Sequence, residues 1–202
     1  MIKKQILENL NFIIKSTLFN ILVHTIGVLF NVNQSQNKWF DDSIYENTNF
    51  ETAKRVADLV NKHSSVHKKK MIYISASTHP PGFSGYLKTK WKAEEYIQNL
   101  PNLDFHSLRC GLITSEERKF LRPLGNLLNF IRESQLKTPL KKLFEETRPG
   151  DFMKNFESPA MIELDDVANA ALYLHLNQGK IDQKILEVEA IQTLSEKFKL
   201  DF

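Results

Sequence analysis

Short β-prone runs alternate with helical stretches along the middle of this chain, and that alternation most restricts its fold. Residues 71–75 are apolar, too few for a helix and followed by small residues, so they predict a buried strand. Apolar residues recur at three- and four-residue steps in 50–61 and again in 84–100, which predicts a helix on each side of it. Strand and helix in alternation are typical of a parallel sheet with right-handed crossovers.

Further elements extend this pattern in both directions. Runs 21–28 and 104–110 predict two more strands, whereas 114–150 contains one helical stretch at 124–132 and no clear strand. A helix over 162–174, a strand at 184–188 and a short helix at 194–200 follow. The polar segment 31–49 predicts a long surface loop or a short irregular excursion, and 1–20 predicts a helix packed on the sheet.

Composition limits the function classes. The chain has 202 residues, 42% of them hydrophobic, which is enough to fill the core of a globular domain. The net charge is only +3, and the basic run 68–70 directly precedes a strand, so we expect a solvated loop and no nucleic-acid binding. Charged and polar residues interrupt the apolar stretch 12–30, which predicts that the chain is not an integral membrane protein.

The sequence also argues against metal and disulfide chemistry. Cys110 is the single cysteine, so the chain has no internal disulfide and no cysteine zinc site, and we expect a small core residue there. His79 and His106 lack the spacing of metal ligands. Glu94 and Glu95 are adjacent and point in different directions on a helix, so we expect both to be solvated.

Tyr86 and Lys90 are the strongest candidates for chemistry. They lie four residues apart and therefore on one face of the predicted helix, just after a strand that ends in Ser75-Ala76-Ser77. The spacing alone is weak, because five tyrosines in a lysine-rich chain give roughly half a match by chance. Its position is stronger, since the carboxyl edge of a parallel sheet is where such folds bind ligands.

A set of motifs in the same order resembles the atypical short-chain dehydrogenase/reductase family. The motifs are His24-Thr25-Ile26-Gly27, Asn49 before a helix, Tyr73 to Ser77, Tyr86-Leu87-Lys88-Thr89-Lys90, Arg109-Cys110-Gly111 and Asp166-Val167-Ala168. The resemblance covers residues 21–176 and is greatest to a subgroup that includes an accessory subunit of respiratory complex I and a mitochondrial coenzyme Q biosynthesis protein. It implies an NAD(P)-binding Rossmann domain and a mitochondrial protein that supports quinone biosynthesis or respiratory-complex function, within a multiprotein complex.

The resemblance also implies roles for individual residues. Tyr86 is the expected acid/base, and Lys90 the cation that stabilises its phenolate and binds the nicotinamide ribose. Either Ser75 or Ser77 orients the substrate oxygen, and capping of the backbone explains each serine equally well. Asn49 is expected to anchor the active-site helix.

Four positions are implied to contact the cofactor besides Tyr86 and Lys90: Thr25, Gly27, Arg109 and Gly111. Gly27 fits a simple turn equally well. The family commonly has Arg-Pro-Gly where this chain has Cys110 between Arg109 and Gly111, which loosens the loop that meets the nicotinamide.

One element of a dinucleotide-binding domain is missing from the sequence. The phosphate-binding Gly-rich turn lies in the first strand–helix unit, and here no glycine occurs before Gly27. The predicted fold is therefore α/β, a partial Rossmann-like parallel sheet flanked by helices and lacking the first βαβ units. Its expected parts are an N-terminal helix (1–20), a Rossmann-like core (21–113), a small cap or edge region (114–160) and a C-terminal helix and strand (161–202).

Two functions remain open at this point. Either the chain belongs to an NAD(P)-dependent oxidoreductase, as a fragment or truncated product, or it is a non-catalytic scaffold or assembly subunit that has lost cofactor binding. A sugar-nucleotide or isoflavone-type reductase is a third, weaker alternative.

Overall fold

A parallel sheet forms the centre of the protein. The computed structural model describes residues 20–27, 42–64, 68–78, 84–117, 122–123, 126, 130 and 161–201. Within them, four strands pair in the order β1-β2-β3-β6, and every pair is parallel. These strands are β1 (Ile21–His24), β2 (Lys69–Ala76), β3 (Leu103–Cys110) and β6 (Ile185–Leu186). The predicted parallel α/β architecture is thus confirmed.

Helices connect the strands as the alternation predicts. They are α1 (Asp42–Tyr45), which continues through a π-helical turn (Glu46–Phe50) into α2 (Glu51–Lys62), then α3 (Ser84–Gln98), α4 (Leu164–Leu176) and α5 (Val188–Asp201). A separate two-stranded parallel sheet contains β4 (Leu112–Thr114) and β5 (Met161–Glu163). Acidic side chains at Asp165 and Asp166 occupy the first turn of α4, where they suit the positive end of the helix dipole.

The sheet separates two hydrophobic cores because successive side chains of a strand point to opposite faces. Met71, Tyr73 and Phe105 face α2 and α3, whereas Ile72 and Leu108 face α4 and α5. β2 and β3 run in register from Lys69 opposite Leu103 to Ala76 opposite Cys110. Their carboxyl ends therefore lie at the same edge of the sheet, together with the end of β1.

The predicted strands and helices agree with the observed ones best near this edge. Strands 71–75 and 104–110 and the helices that follow Phe50 and Ser84 are all present. Strand β1 is shorter than predicted and ends at His24. The N-terminal helix predicted for 1–20 lies outside the described residues, as does most of 114–160, including nearly all of the helix predicted at 124–132.

Three predictions are wrong. Residues 42–49 of the predicted loop are helical, because Tyr45, Asn49 and Phe50 are buried against the rest of the fold. Strands β4 and β5 were not expected, since three-residue runs are too short to show a period. The last helix begins at Val188, within the predicted strand 184–188, and is twice the predicted length.

Within the described residues, no helix is long and apolar enough to cross a membrane.

Candidate functional site

The Lys90 side chain joins the carboxyl ends of two strands. Its ammonium donates hydrogen bonds to the main-chain carbonyl of Ile74 at 2.9 Å and to that of Ile26 at 3.3 Å. The ammonium also lies 4.7 Å from the centre of the Tyr73 ring, within the range of a cation–π contact. Only 3% of Lys90 is exposed. The candidate site therefore contains a cation that is fixed by backbone and shielded from water.

Gly27 covers this ammonium. A Cβ placed on Gly27 would lie 2.7 Å from Nζ and 2.8 Å from Cε of Lys90, closer than real Cβ contacts. The absence of a side chain at Gly27 thus makes room for Lys90. The sequence had suggested only a turn or contact with a cofactor as reasons for this glycine. Asn49 lies on the same side, with its Oδ1 3.5 Å from that Cβ position, and its amide donates to the Thr89 hydroxyl at 3.4 Å. Asn49 therefore ties the π-helical turn to α3, which is the anchoring role predicted for it.

Burial makes the Lys90 ammonium unusually acidic. Desolvation lowers its pKa to about 8, and the Glu94 carboxylate opposes this decrease. Burial lowers the pKa of the neighbouring His24 to about 4, and the positive charge of Lys90 contributes to this decrease. Near neutral pH the site therefore combines a charged lysine with a neutral imidazole.

Tyr86 lies in the first turn of α3, one turn before Lys90. Its ring meets that of Tyr45 edge to face, with centres 6.2 Å apart. Burial, followed by the neighbouring Cys110 and Tyr45, raises the Tyr86 pKa to about 12. The phenol is therefore protonated at neutral pH and is available as a proton donor.

The two candidate serines differ in their hydrogen bonds. The Ser77 hydroxyl donates to the carbonyl of Cys110 at 3.2 Å, and the Ser77 backbone N–H donates to the same oxygen at 2.9 Å. The Ser75 hydroxyl is buried and has no hydrogen-bond partner among the described residues. Ser77 thus caps the end of β3, whereas Ser75 has the unsatisfied group that a ligand oxygen would need.

A cavity of about 530 Å³ opens at the same edge of the sheet, on the face covered by α4. Its walls are mostly apolar and come from β1, β2 and α4, including Val23, Ile74 and Val167. Thr25 and Thr114 contribute polar atoms to its lining. This size and composition are typical of small-molecule sites. Of the predicted cofactor contacts, Thr25 lines the cavity and Gly111 directly precedes β4, which supplies Thr114.

Arg109 is occupied by an ion pair on the face of the sheet that α3 covers. Its guanidinium donates to the Glu94 carboxylate through Nε at 3.0 Å and Nη2 at 2.6 Å, and to Glu187 through Nη1 at 3.1 Å. It also stacks on the Trp91 ring at 4.6 Å. The structure does not bring this arginine together with Tyr86 and Lys90, and its contact with a cofactor stays a prediction.

Three further residues at the site were missed by sequence reasoning. Tyr73 is fully buried, and its hydroxyl and both ring nitrogens of His24 have no hydrogen-bond partner in the described part of the chain. The two rings lie 5.5 Å apart, as their opposed positions in the β1–β2 register require. Glu94 was expected to be solvated, and that is wrong: it is 1% exposed, whereas Glu95 is exposed as predicted. The sequence signal that could have identified Tyr73 and His24 is a polar ring within an otherwise apolar strand.

Comparison with known proteins identifies the fold. No protein-family model matches the chain, and no curated protein matches it. Among solved structures it resembles sorbitol-6-phosphate 2-dehydrogenase from Erwinia amylovora, with a TM-score of 0.53 and 16% sequence identity, over 90% of this chain and 72% of that one. At this identity the likeness shows the fold alone, a Rossmann-like parallel sheet flanked by helices.

Proposed function

We propose that this chain is an NAD(P)-binding oxidoreductase of the short-chain dehydrogenase/reductase type. One observation carries the proposal: the Lys90 ammonium is fixed at the carboxyl edge of a parallel sheet, one helical turn from the Tyr86 phenol. The unsatisfied Ser75 hydroxyl lies at the end of the strand that also supplies the Ile74 carbonyl. This edge of an open α/β sheet is the place where such folds bind ligands.

In this mechanism Tyr86 handles the proton. With a pKa of about 12 the phenol is protonated, so it donates its proton to the oxygen of a carbonyl substrate. Ser75 donates a second hydrogen bond to the same oxygen. Lys90 stabilises the phenolate that is left, because a nearby cation favours the charged form of an acid. A nicotinamide cofactor, when bound, supplies the hydride for this reduction.

The residues present fit the nicotinamide end of such a cofactor. Lys90 can donate to ribose hydroxyls at the carboxyl edge of the sheet, whereas none of Tyr86, Lys90 and Ser75 lines the cavity that contains Thr25 and Thr114. The contact of Gly27 with a cofactor stays a prediction, since Gly27 packs against Lys90 in the described structure, and the sequence has no glycine before Gly27 for a phosphate-binding turn. Cofactor binding is therefore proposed here for the nicotinamide half only.

The biological setting follows from the resemblance of the motifs within 21–176. We place the protein in the mitochondrion, where it supports quinone biosynthesis or respiratory-complex function as part of a multiprotein complex.

A non-catalytic scaffold is the second candidate, and two observations favour it. Burial raises the Tyr86 pKa instead of lowering it, and the Lys90 ammonium already has two carbonyl acceptors. In a scaffold these contacts would serve only to hold α3 on the sheet.

Cofactor titration separates the two candidates. A ligand that binds only the folded state stabilises it by about 2.7 kcal/mol at one hundred times its Kd, which raises the Tm of a chain of this size by roughly 5–10 °C. We expect that increase with NADPH or NADH, and we expect Tyr86→Phe to retain it while losing turnover. Lys90→Ala should lose both. If neither nucleotide changes the Tm at millimolar concentration, the proposal that this chain binds a nicotinamide cofactor is refuted.

A further inference from the structure

Glu94 links the candidate site to the rest of the sheet. It lies one helical turn beyond Lys90 on α3, and only 1% of the residue is exposed. It accepts hydrogen bonds from the Ser107 hydroxyl at 2.7 Å and from two nitrogens of Arg109. Both partners belong to β3, so this carboxylate connects the helix that carries Tyr86 and Lys90 to the neighbouring strand.

The connection continues beyond Glu94. Arg109 reaches Glu187 at 3.1 Å and stacks on Trp91, whose indole N–H donates to the carbonyl of Ala76 at 3.1 Å. Helix α3 is thus held on β3 through Glu94 and on the end of β2 through Trp91. Two attachments one turn apart fix the rotation of a helix about its axis, and that rotation decides where Tyr86 and Lys90 point.

The same carboxylate acts on Lys90 through its charge. The groups that face the ammonium are His24 on β1, Tyr73 on β2, Cys110 on β3, and Glu94 on its own helix. Among these, Glu94 is the carboxylate that pairs with a cation, Arg109, whereas burial raises the pKa of the Cys110 thiol and of the Tyr73 phenol and so favours their neutral forms. Arg109 and Ser107 stabilise that anion, so a charged carboxylate persists in a place where an isolated one would be too costly.

We propose that Glu94 is a positioning residue of the site, holding α3 against β3 and supplying the negative charge that keeps Lys90 cationic. The catalytic part of this role rests on the function proposed above, because it matters only if Lys90 must be charged during turnover. The effect on Lys90 itself is independent of any activity. A structural role alone would require the hydrogen bonds of Glu94 but not its charge.

The test is the titration of Lys90 by NMR in the cofactor-free protein, with labelled lysine and assignment through Lys90→Arg. Glu94→Gln keeps the shape of the side chain and removes its charge, and we expect the Lys90 midpoint to fall by about 0.5–1 pH unit. Glu95→Gln is the matched control, since its exposed neighbouring carboxylate should leave the midpoint unchanged. Glu94→Asp should restore most of the wild-type value. An unchanged midpoint in Glu94→Gln overturns the inference.

A second variant covers the case in which Glu94→Gln does not fold. Arg109→Met removes the cation that offsets Glu94 and leaves the Ser107 hydrogen bond, so the Lys90 midpoint should rise. A midpoint that does not move overturns the inference as well. Failure of the proposed function has a different outcome, because nucleotides would then leave the Tm unchanged while the Lys90 titration still responded to Glu94.

Discussion

Replacing Gly27 with alanine tests the packing on which the candidate site depends. The added methyl carbon would lie 2.7 Å from the Lys90 ammonium nitrogen, and an ordinary contact requires at least 3.4 Å. The backbone at Gly27 does not have a positive φ, so the substitution introduces a clash without backbone strain. Lys90 must therefore move, and it can move only by lengthening its hydrogen bonds to the carbonyls of Ile74 and Ile26.

The loss in the free energy of unfolding follows from these two hydrogen bonds. A hydrogen bond to a charged group contributes about 1.5–3 kcal/mol, and we expect the longer one, to Ile26, to be lost. Alanine also stabilises the folded state by about 0.4–1 kcal/mol, because it restricts the unfolded chain more than glycine does. The net loss in the free energy of unfolding is about 1–2 kcal/mol, which lowers the Tm by roughly 3–6 °C.

A double-mutant cycle followed by urea denaturation checks this reasoning. In a Lys90→Ala background the clash is absent, so Gly27→Ala should be neutral or slightly stabilising. A matched control is Gly179→Ala, which has no atom within 4 Å of its Cβ and a positive φ of 73°, so its loss should be the same in both backgrounds. If Gly27→Ala costs the same with and without Lys90, the lysine is not the reason for this glycine.

Two further predictions concern buried groups near the site. Burial lowers the His24 pKa from 6.5 to about 4, so the unfolded state binds a proton more readily between these values, and stability falls by up to about 3 kcal/mol as pH decreases from 6.5 to 4. His24→Phe should flatten that part of the stability–pH curve measured by urea denaturation, and an unchanged slope would contradict the assignment. Burial also raises the Cys110 pKa to about 12, so the native thiol should react with a disulfide reagent at least about a thousandfold more slowly than the unfolded chain. Rapid labelling of the folded protein would show that this end of β3 opens.

The sheet was predictable because its strands are buried on both faces. Such strands appear as continuous apolar runs, and residues 71–75 stood out on that basis, whereas 104–110 was predicted from the alternation of strands and helices along the chain. Strands β4 and β5 did not stand out, because each is three residues long and they pair across a distant part of the chain. Helical residues 42–49 were missed for a different reason: their composition is polar, and their helix is stabilised by the burial of Tyr45 and Asn49.

The site shows the same division between local and long-range information. A helical period places Tyr86 and Lys90 on one face, so their association needs only local sequence. The burial of Glu94 depends on Ser107 and Arg109 of a different strand, and no local pattern contains that information. The choice between Ser75 and Ser77 depends likewise on which hydroxyl the Cys110 carbonyl accepts.

The hydrogen bonds of Lys90 decide how a ligand could use it. An ammonium has three N–H donors, and in the described structure the carbonyls of Ile74 and Ile26 accept two of them. One donor is left, so Lys90 can bind a ligand hydroxyl without leaving either strand. The two carbonyls would then contribute to ligand binding, because they fix the direction of the third N–H before a ligand arrives. Preorganised donors of this kind need no rearrangement at the moment of reaction, whereas a lysine held only for stability would gain nothing from keeping one donor free.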